Sequence, residues 1–241
     1  MTLSISTQDA SQLGGEGSIL LRQRRDHAQL DAMMNRYLNP HSTPEQRAAL
    51  WKDIVQLVFS HAFAEETVLW PLLRRIHGDG ELLTARVEQE HQEINELIAR
   101  IEKTTDTDDP SRTAWIQQAF TLIRQDIRDE EDELLPHLRE AFSDRRLRQI
   151  GAAWETVRAG APTHPHPAVS RRPPGNALSG LPLSAFDRLG DLAPFTSPSA
   201  RRASLVTAAA VTLAAAIFLA RRAHHSIRQQ TERMGKKKSL A

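Results

Sequence analysis

The chain has no cysteine. That excludes disulfide cross-links, thiolate catalysis and zinc sites built on cysteine, and it fits a reducing compartment. Residues 1–17, MTLSISTQDASQLGGEG, hold neither an apolar run nor a basic start. They do not read as a signal peptide, so a cytoplasmic location is expected, and residues 1–16 are expected to be disordered. No segment reads convincingly as a strand. Basic charge is scarce in the front of the chain: residues 1–160 hold 19 Lys/Arg against 27 Asp/Glu, a net of −8. Such a surface offers little to nucleic acid. Residues 161–241 reverse the balance, with 12 Lys/Arg against 3 Asp/Glu, a net of +9; the two halves sum to +1. Opposite charge in the two halves suggests two different jobs.

What is present from residue 17 to about 160 is helix. The first helix is expected from about Ser18 to Leu38. Thr43 then reads as an N-cap, with Pro44 in the first turn and Gln46 completing a capping box. The second helix runs to about Ile76, where Pro71 should kink or shorten it. The third covers about Glu81 to Lys103, with Leu82, Leu83, Val87, Ile94, Leu97, Ile98 and Ile101 on one side. Asp109 caps and Pro110 opens the fourth, which reaches about Phe142; Ser143 starts a shorter fifth. Long helices with short loops give an all-α fold, an antiparallel up-down-up-down four-helix bundle. The four tryptophans, Trp51, Trp70, Trp115 and Trp154, read as core or helix-packing residues.

Beyond Ala161 the character changes. The Pro-rich stretch APTHPHPAVSRRPPGN reads as a linker, within residues 161–200. Residues 203–220, ASLVTAAAVTLAAAIFLA, carry no charge and are flanked by Arg201-Arg202 and Arg221-Arg222. Eighteen residues are just enough for a transmembrane candidate, about 20 being usual. A basic tail ending in Lys236-Lys237-Lys238 suits an anionic leaflet. The expectation is a membrane-associated helix over 201–241; the competing reading is an alanine-rich helix docked on the bundle.

The chemistry lies in a repeat. In the second helix, SHAFAEETVLWPLLR sets His61 ten residues and Glu65 six residues before Pro71. In the fourth, QDIRDEEDELLPHLR sets Asp126 ten and Glu130 six before Pro136. The first and third helices each carry a histidine behind an acid, His27 in RRDHAQLDAM and His91 in EQEHQEINEL. A two-helix unit used twice implies an approximate two-fold axis. That axis brings His27, His61, Glu65, His91, Asp126 and Glu130 to one place. A single His-x-x-x-Glu is weak, most often an exposed pair worth roughly 0.2–0.5 kcal/mol. Its recurrence in register with a proline is what points to metal. Imidazole with carboxylate favours iron, manganese or zinc over calcium or magnesium. Asp126 lies in the acidic run RDEEDE, which by itself would read as a solvated face. Glu66, Asp129 and Glu131 are expected to be exposed, with Glu131 or Glu90 as candidates to hold a ligand histidine.

On the motifs RRDHAQLD, SHAFAEETVLWPLL, EQEHQEINEL and EEDELLPHL, residues 18–161 resemble a hemerythrin-like (HHE cation-binding) domain. The resemblance implies a non-haem di-iron site, two iron ions with an oxo or hydroxo bridge, with manganese or zinc as alternatives. His27 and His61 would be terminal ligands, Glu65 and Glu130 would bridge, and His91 would be terminal on the second metal. The expected partner is a small diatomic or peroxide ligand. Asp126 departs from the family, where histidine is usual. Val87, one turn from His91, cannot ligate. The second metal therefore has fewer nitrogen donors, which argues against reversible oxygen carriage and leaves oxygen or peroxide reaction, metal handling and sensing. Two other readings stand beside this one: a metal-free helical adaptor anchored by its C-terminus, and a di-iron enzyme that consumes peroxide.

Overall fold

The computed structural model describes residues 3–104 and 109–161. The linker, the apolar stretch 203–220 and the basic tail lie outside the described residues. Among the described residues no helix is long and apolar enough to cross a membrane.

The described chain is entirely helical, with α1 (Ile19–Leu38), α2 (Pro44–Ala64), α3 (Trp70–Ile76), α4 (Gly80–Lys103), α5 (Pro110–Asp129), α6 (Leu135–Ala141) and α7 (Asp144–Ala159). Thr43 makes the expected capping box with Gln46, and Asp109 caps α5 by accepting from the Ser111 backbone N–H. α1 packs on α2, α4 packs on α5 and α3, and α7 lies against both α1 and α2.

Neither proline ends its helix. Instead α2 and α3 are joined by a π-helical turn, Glu65–Leu69, and α5 and α6 by another, Glu130–Leu134. In the first, the Trp70 N–H reaches back five residues to the Glu65 carbonyl; in the second, Leu135 reaches Glu130. A proline cannot donate to the residue four back, and its ring collides with that carbonyl. One widened turn relieves the collision and lets the helix continue. Each widened turn begins at one of the two candidate bridging glutamates.

Two apolar clusters fill the bundle. One gathers Leu30, Met34, Ile54, Phe59, Ile98 and Phe120; the other gathers Leu20, Leu69, Trp70, Val87, Leu135 and Trp154. Along α1 the chain passes from Leu20 to Leu30, along α4 from Val87 to Ile94, and between them sit His27 and His91. The α2 and α5 rods pass from Phe59 to Ala64 and from Ile123 to Leu134, with His61 and Asp126 between. Each of these four rods therefore changes cluster at a polar residue, and the polar residues form one layer across the bundle.

The N-terminus departs from expectation. Residues 3–16 are not disordered but fold back as a strap. A short 3-10 turn, Ile5–Thr7, lies on the Glu130–Leu134 turn, and Ile5 and Leu13 are fully buried in the second cluster. Two apolar residues thus suffice to order a polar segment by plugging a gap. The Arg148 guanidinium on α7 donates to the Gly14 carbonyl at 2.8 Å. Gly17 sits at φ 77°, a backbone region that glycine takes without strain. Its carbonyl lies where a Cβ on Gly151 would be, with the Ile19 nitrogen at 3.0 Å. Both obstacles are backbone and cannot rotate aside. Gly151→Ala is therefore expected to cost about 1–3 kcal/mol in urea unfolding. An unchanged midpoint would show that α7 docks less tightly than this contact requires.

Candidate metal centre

All six expected residues meet in the polar layer. The ring nitrogens face inward through Nε2: His27 Nε2 lies 3.2 Å from His61 Nε2 and 3.3 Å from Glu130 Oε2. His61 Nε2 lies 3.0 Å from Glu65 Oε1. His91 Nε2 lies 3.4 Å from Asp126 Oδ1, 3.6 Å from Glu130 Oε1 and 3.7 Å from Glu65 Oε2. Glu65 and Glu130 thus each turn one oxygen toward the His27/His61 side and the other toward His91. Two sets of ligand atoms result: His27, His61, Glu65 and Glu130, and His91, Asp126 and Glu130. Within each set the atoms lie within 4.8 Å of one another. The residues are 0–9 % exposed.

The Nδ1 atoms face outward, each to a carboxylate: His27 to Glu131 at 2.7 Å, His61 to Asp26 at 3.1 Å and His91 to Glu66 at 2.8 Å. An ionised carboxylate only accepts, so each ring spends its N–H there and leaves Nε2 as a bare lone pair. With the Nε2 atoms unprotonated, both oxygens of Glu65, both of Glu130 and Oδ1 of Asp126 are buried without a hydrogen-bond donor. The centre is therefore a small volume lined by lone pairs, with two of them only 3.2 Å apart across His27 and His61. Two carboxylates no more than 4.8 Å apart repel by at least roughly 3 kcal/mol at an effective dielectric near 20. A domain's whole stability is only about 5–15 kcal/mol. Positive charge must enter, and the donor set, imidazole nitrogens with bridging carboxylates, suits transition-metal cations.

The family description "Hemerythrin HHE cation binding domain" matches residues 19–138. Residues 19–138 are a hemerythrin HHE cation-binding domain. A protein of Nostoc sp. (strain PCC 7120) named DNA nickase is 24% identical over 139 residues, which cover 56% of this chain and 38% of that protein. The chain thus spans well under half of that relative's length. No solved structure matches the chain.

Without a cation, the HHE cluster balances its charge with protons. Burial alone would lower His27, but hydrogen bonds to Glu130 and Glu131 outweigh it and hold the ring at about 9. Burial likewise opposes charge on His61, yet Glu65 and Asp26 carry it to about 10. His91 is raised well above its ordinary value, burial being overcome by Asp126 and by hydrogen bonds to Glu130 and Glu66. Burial and the charge of Glu130 push Glu65 up to about 7. Glu130 goes the other way: hydrogen bonds from His27 and His91 defeat burial and hold it well below the carboxylate range.

The ring-holding carboxylates were only partly legible. Glu131 contacts His27 as one of the two candidates for such a role, though it is half-buried rather than exposed. Glu66, expected to be exposed, is 1 % exposed and holds His91. On a lone helix the residue after an inward glutamate turns about 100° away; here α4 covers that side. The repeat carried the signal: in each half the residue after the bridging glutamate, Glu66 or Glu131, holds the histidine of the other half. Asp26, beside His27 in sequence, serves His61. Its counterpart Glu90 precedes His91 but meets Asp126 where the repeat would place a histidine. Burial, then the charges of Asp126 and Asp129, push Glu90 up to about 7. Glu90 is thus the ring-holding position whose ring is gone.

Metal and protons compete for the same Nε2 lone pairs. The histidine contribution to stability of the metal-free domain is complete below the ordinary value of 6.5. It fades as pH rises through about 9 and 10. Cation affinity must rise over the same window, with protons released on binding. Calorimetric titration of metal-free protein with zinc is expected to show affinity about tenfold or more tighter at pH 8.5 than at pH 6.5. A pH-independent affinity would place the metal elsewhere.

Proposed function

We propose that this domain binds two iron ions and, at them, a small ligand: dioxygen, peroxide or nitric oxide. The observation that carries the reading is the set of inward lone pairs on three histidines and three carboxylates whose outward N–H groups are already spent. His27 and His61 would hold one metal, His91 and Asp126 the other, and Glu65 and Glu130 would hold the pair together. Bound iron supplies a Lewis acid and a redox centre. Manganese or zinc fits the same donors.

The chain's own residues limit what can reach that centre. A cavity of about 20 Å³ touches His27, His61, His91 and Asp126 and is otherwise walled by apolar side chains, among them Leu30, Val58, Phe59, Ile94, Ile123 and Ile127. That is room for about one water molecule. A volume of that size suits a diatomic or peroxide. With an aspartate where the family has histidine, the second position has one nitrogen donor, His91. An added carboxylate favours the oxidised metal, so the reading is sensing, scavenging or iron handling rather than reversible carriage.

Full-length protein prepared without a histidine tag and loaded anaerobically with ferrous iron is the test. Two irons per chain, with a new charge-transfer absorption on admitting oxygen, are expected. His61→Ala and Glu130→Ala should each lower the retained iron while the helical signal persists. A folded wild-type protein that retains no iron would favour the metal-free adaptor. Peroxide loss that is catalytic in protein and abolished by both substitutions would favour the enzyme.

The name of the Nostoc relative raises action on DNA. The matched part is a minority of that protein, and residues 1–160 of this chain carry a net charge of −8. A polyanion is repelled by such a surface. Iron-loaded protein is expected to leave supercoiled plasmid intact at low salt. Conversion to the open circle, lost in His61→Ala, would overturn the expectation that the acidic domain does not act on nucleic acid.

A further inference from the structure

The family match ends at residue 138, yet α7, residues 144–159, reaches the metal layer. Trp154 is fully buried and sets its ring against His61, with centroids 5.5 Å apart and planes at 81°. The Arg158 guanidinium lies over the same indole at 5.1 Å. From there Arg158 Nη1 reaches both oxygens of Asp26, Oδ2 at 3.0 Å and Oδ1 at 3.3 Å. Asp26 Oδ2 is the atom that receives the His61 Nδ1 proton at 3.1 Å. Asp26 is 7 % exposed, so these charges interact with little solvent between them.

His27 offers an internal comparison, since both rings serve the same candidate metal position. Its carboxylate, Glu131, sits closer, at 2.7 Å against 3.1 Å. A carboxylate that accepts an imidazole N–H pushes electron density into the ring and makes the opposite nitrogen a stronger donor. A guanidinium on that carboxylate draws density back. Nη1, shared between both oxygens, also fixes the carboxylate's orientation.

We infer that Arg158 is a positioning residue for the metal centre: through Asp26 it weakens and orients the His61 donor, making the two histidines of one metal position unequal. This rests on the proposed iron site. The consequence is a higher reduction potential, because a weaker donor stabilises the oxidised metal less. The control of that potential then lies in a helix outside the family's matched segment.

The experiment is a mediated redox titration of the iron-loaded full-length protein, with Arg158→Gln, Arg158→Lys and Arg22→Gln. Arg22 ties α1 to α7 through Glu155 at 2.7 Å without touching Asp26, so it controls for loosened docking. Arg158→Gln is expected to strengthen binding of oxidised over reduced metal about tenfold, a fall of about 59 mV for one electron. Arg158→Lys keeps the charge and should recover at least half of the shift. Arg22→Gln should leave the potential unchanged even if thermal stability drops. The inference is overturned if Arg158→Gln moves the potential no further than Arg22→Gln, or moves it upward. It is also overturned if Arg158→Lys matches Arg158→Gln. A wild-type protein that binds no iron defeats the iron reading itself; iron bound with an unmoved potential defeats this inference alone.

Discussion

Everything in this domain is arranged around the cost of gathering lone pairs in an apolar bundle. Three imidazole nitrogens and three carboxylates occupy one layer between two hydrophobic clusters. Such a layer is tolerable only with positive charge in its middle, supplied by protons or by metal. The outer carboxylates remove the other option. By taking the Nδ1 protons they prevent the rings from turning an N–H inward, so a vacant centre must draw protons from solvent. That is why His27 and His61 are held at about 9 and 10. The clusters above and below fix the helices, and through them the ligand directions, so the layer cannot relax by splaying.

The two-fold repeat explains the layer's plan, and its failures explain the layer's asymmetry. Each half lends its second glutamate to the other half's histidine, Glu66 to His91 and Glu131 to His27. The halves are therefore cross-braced. Symmetry breaks at two places. Asp126 replaces a histidine, leaving Glu90 facing a carboxylate. Among the described residues α7 has no counterpart in the other half, and it is His61 that has Trp154 and the Arg158–Asp26 pair behind it. One candidate set of ligands thus has two nitrogen donors with different support, and the other has one.

The helices and their caps were legible because their signals are local: Thr43 with Gln46, Asp109 with Pro110, and apolar residues at helical spacing. The candidate ligands were legible because the repeat writes them twice, in register with Pro71 and Pro136. Pro71 was read as kinking or shortening its helix. The helices instead continue through π-helical turns, since the tertiary frame holds both arms of each rod in place. Glu66 was read as exposed because periodicity knows one helix and not the neighbour that covers it. Residues 3–16 were read as disordered because their composition is polar, and two buried side chains, Ile5 and Leu13, were enough to order them.

By itself the sequence determined the all-α class, the order of helices and the six residues of the layer. These follow from spacing along one chain, and spacing is preserved in any fold built from those helices. Tertiary structure alone decided which carboxylate serves which ring, how each glutamate divides its oxygens, and that a fifth helix reaches His61. Those depend on distances of about 3 Å between residues 25 to 132 positions apart, and no periodicity in the chain records such contacts.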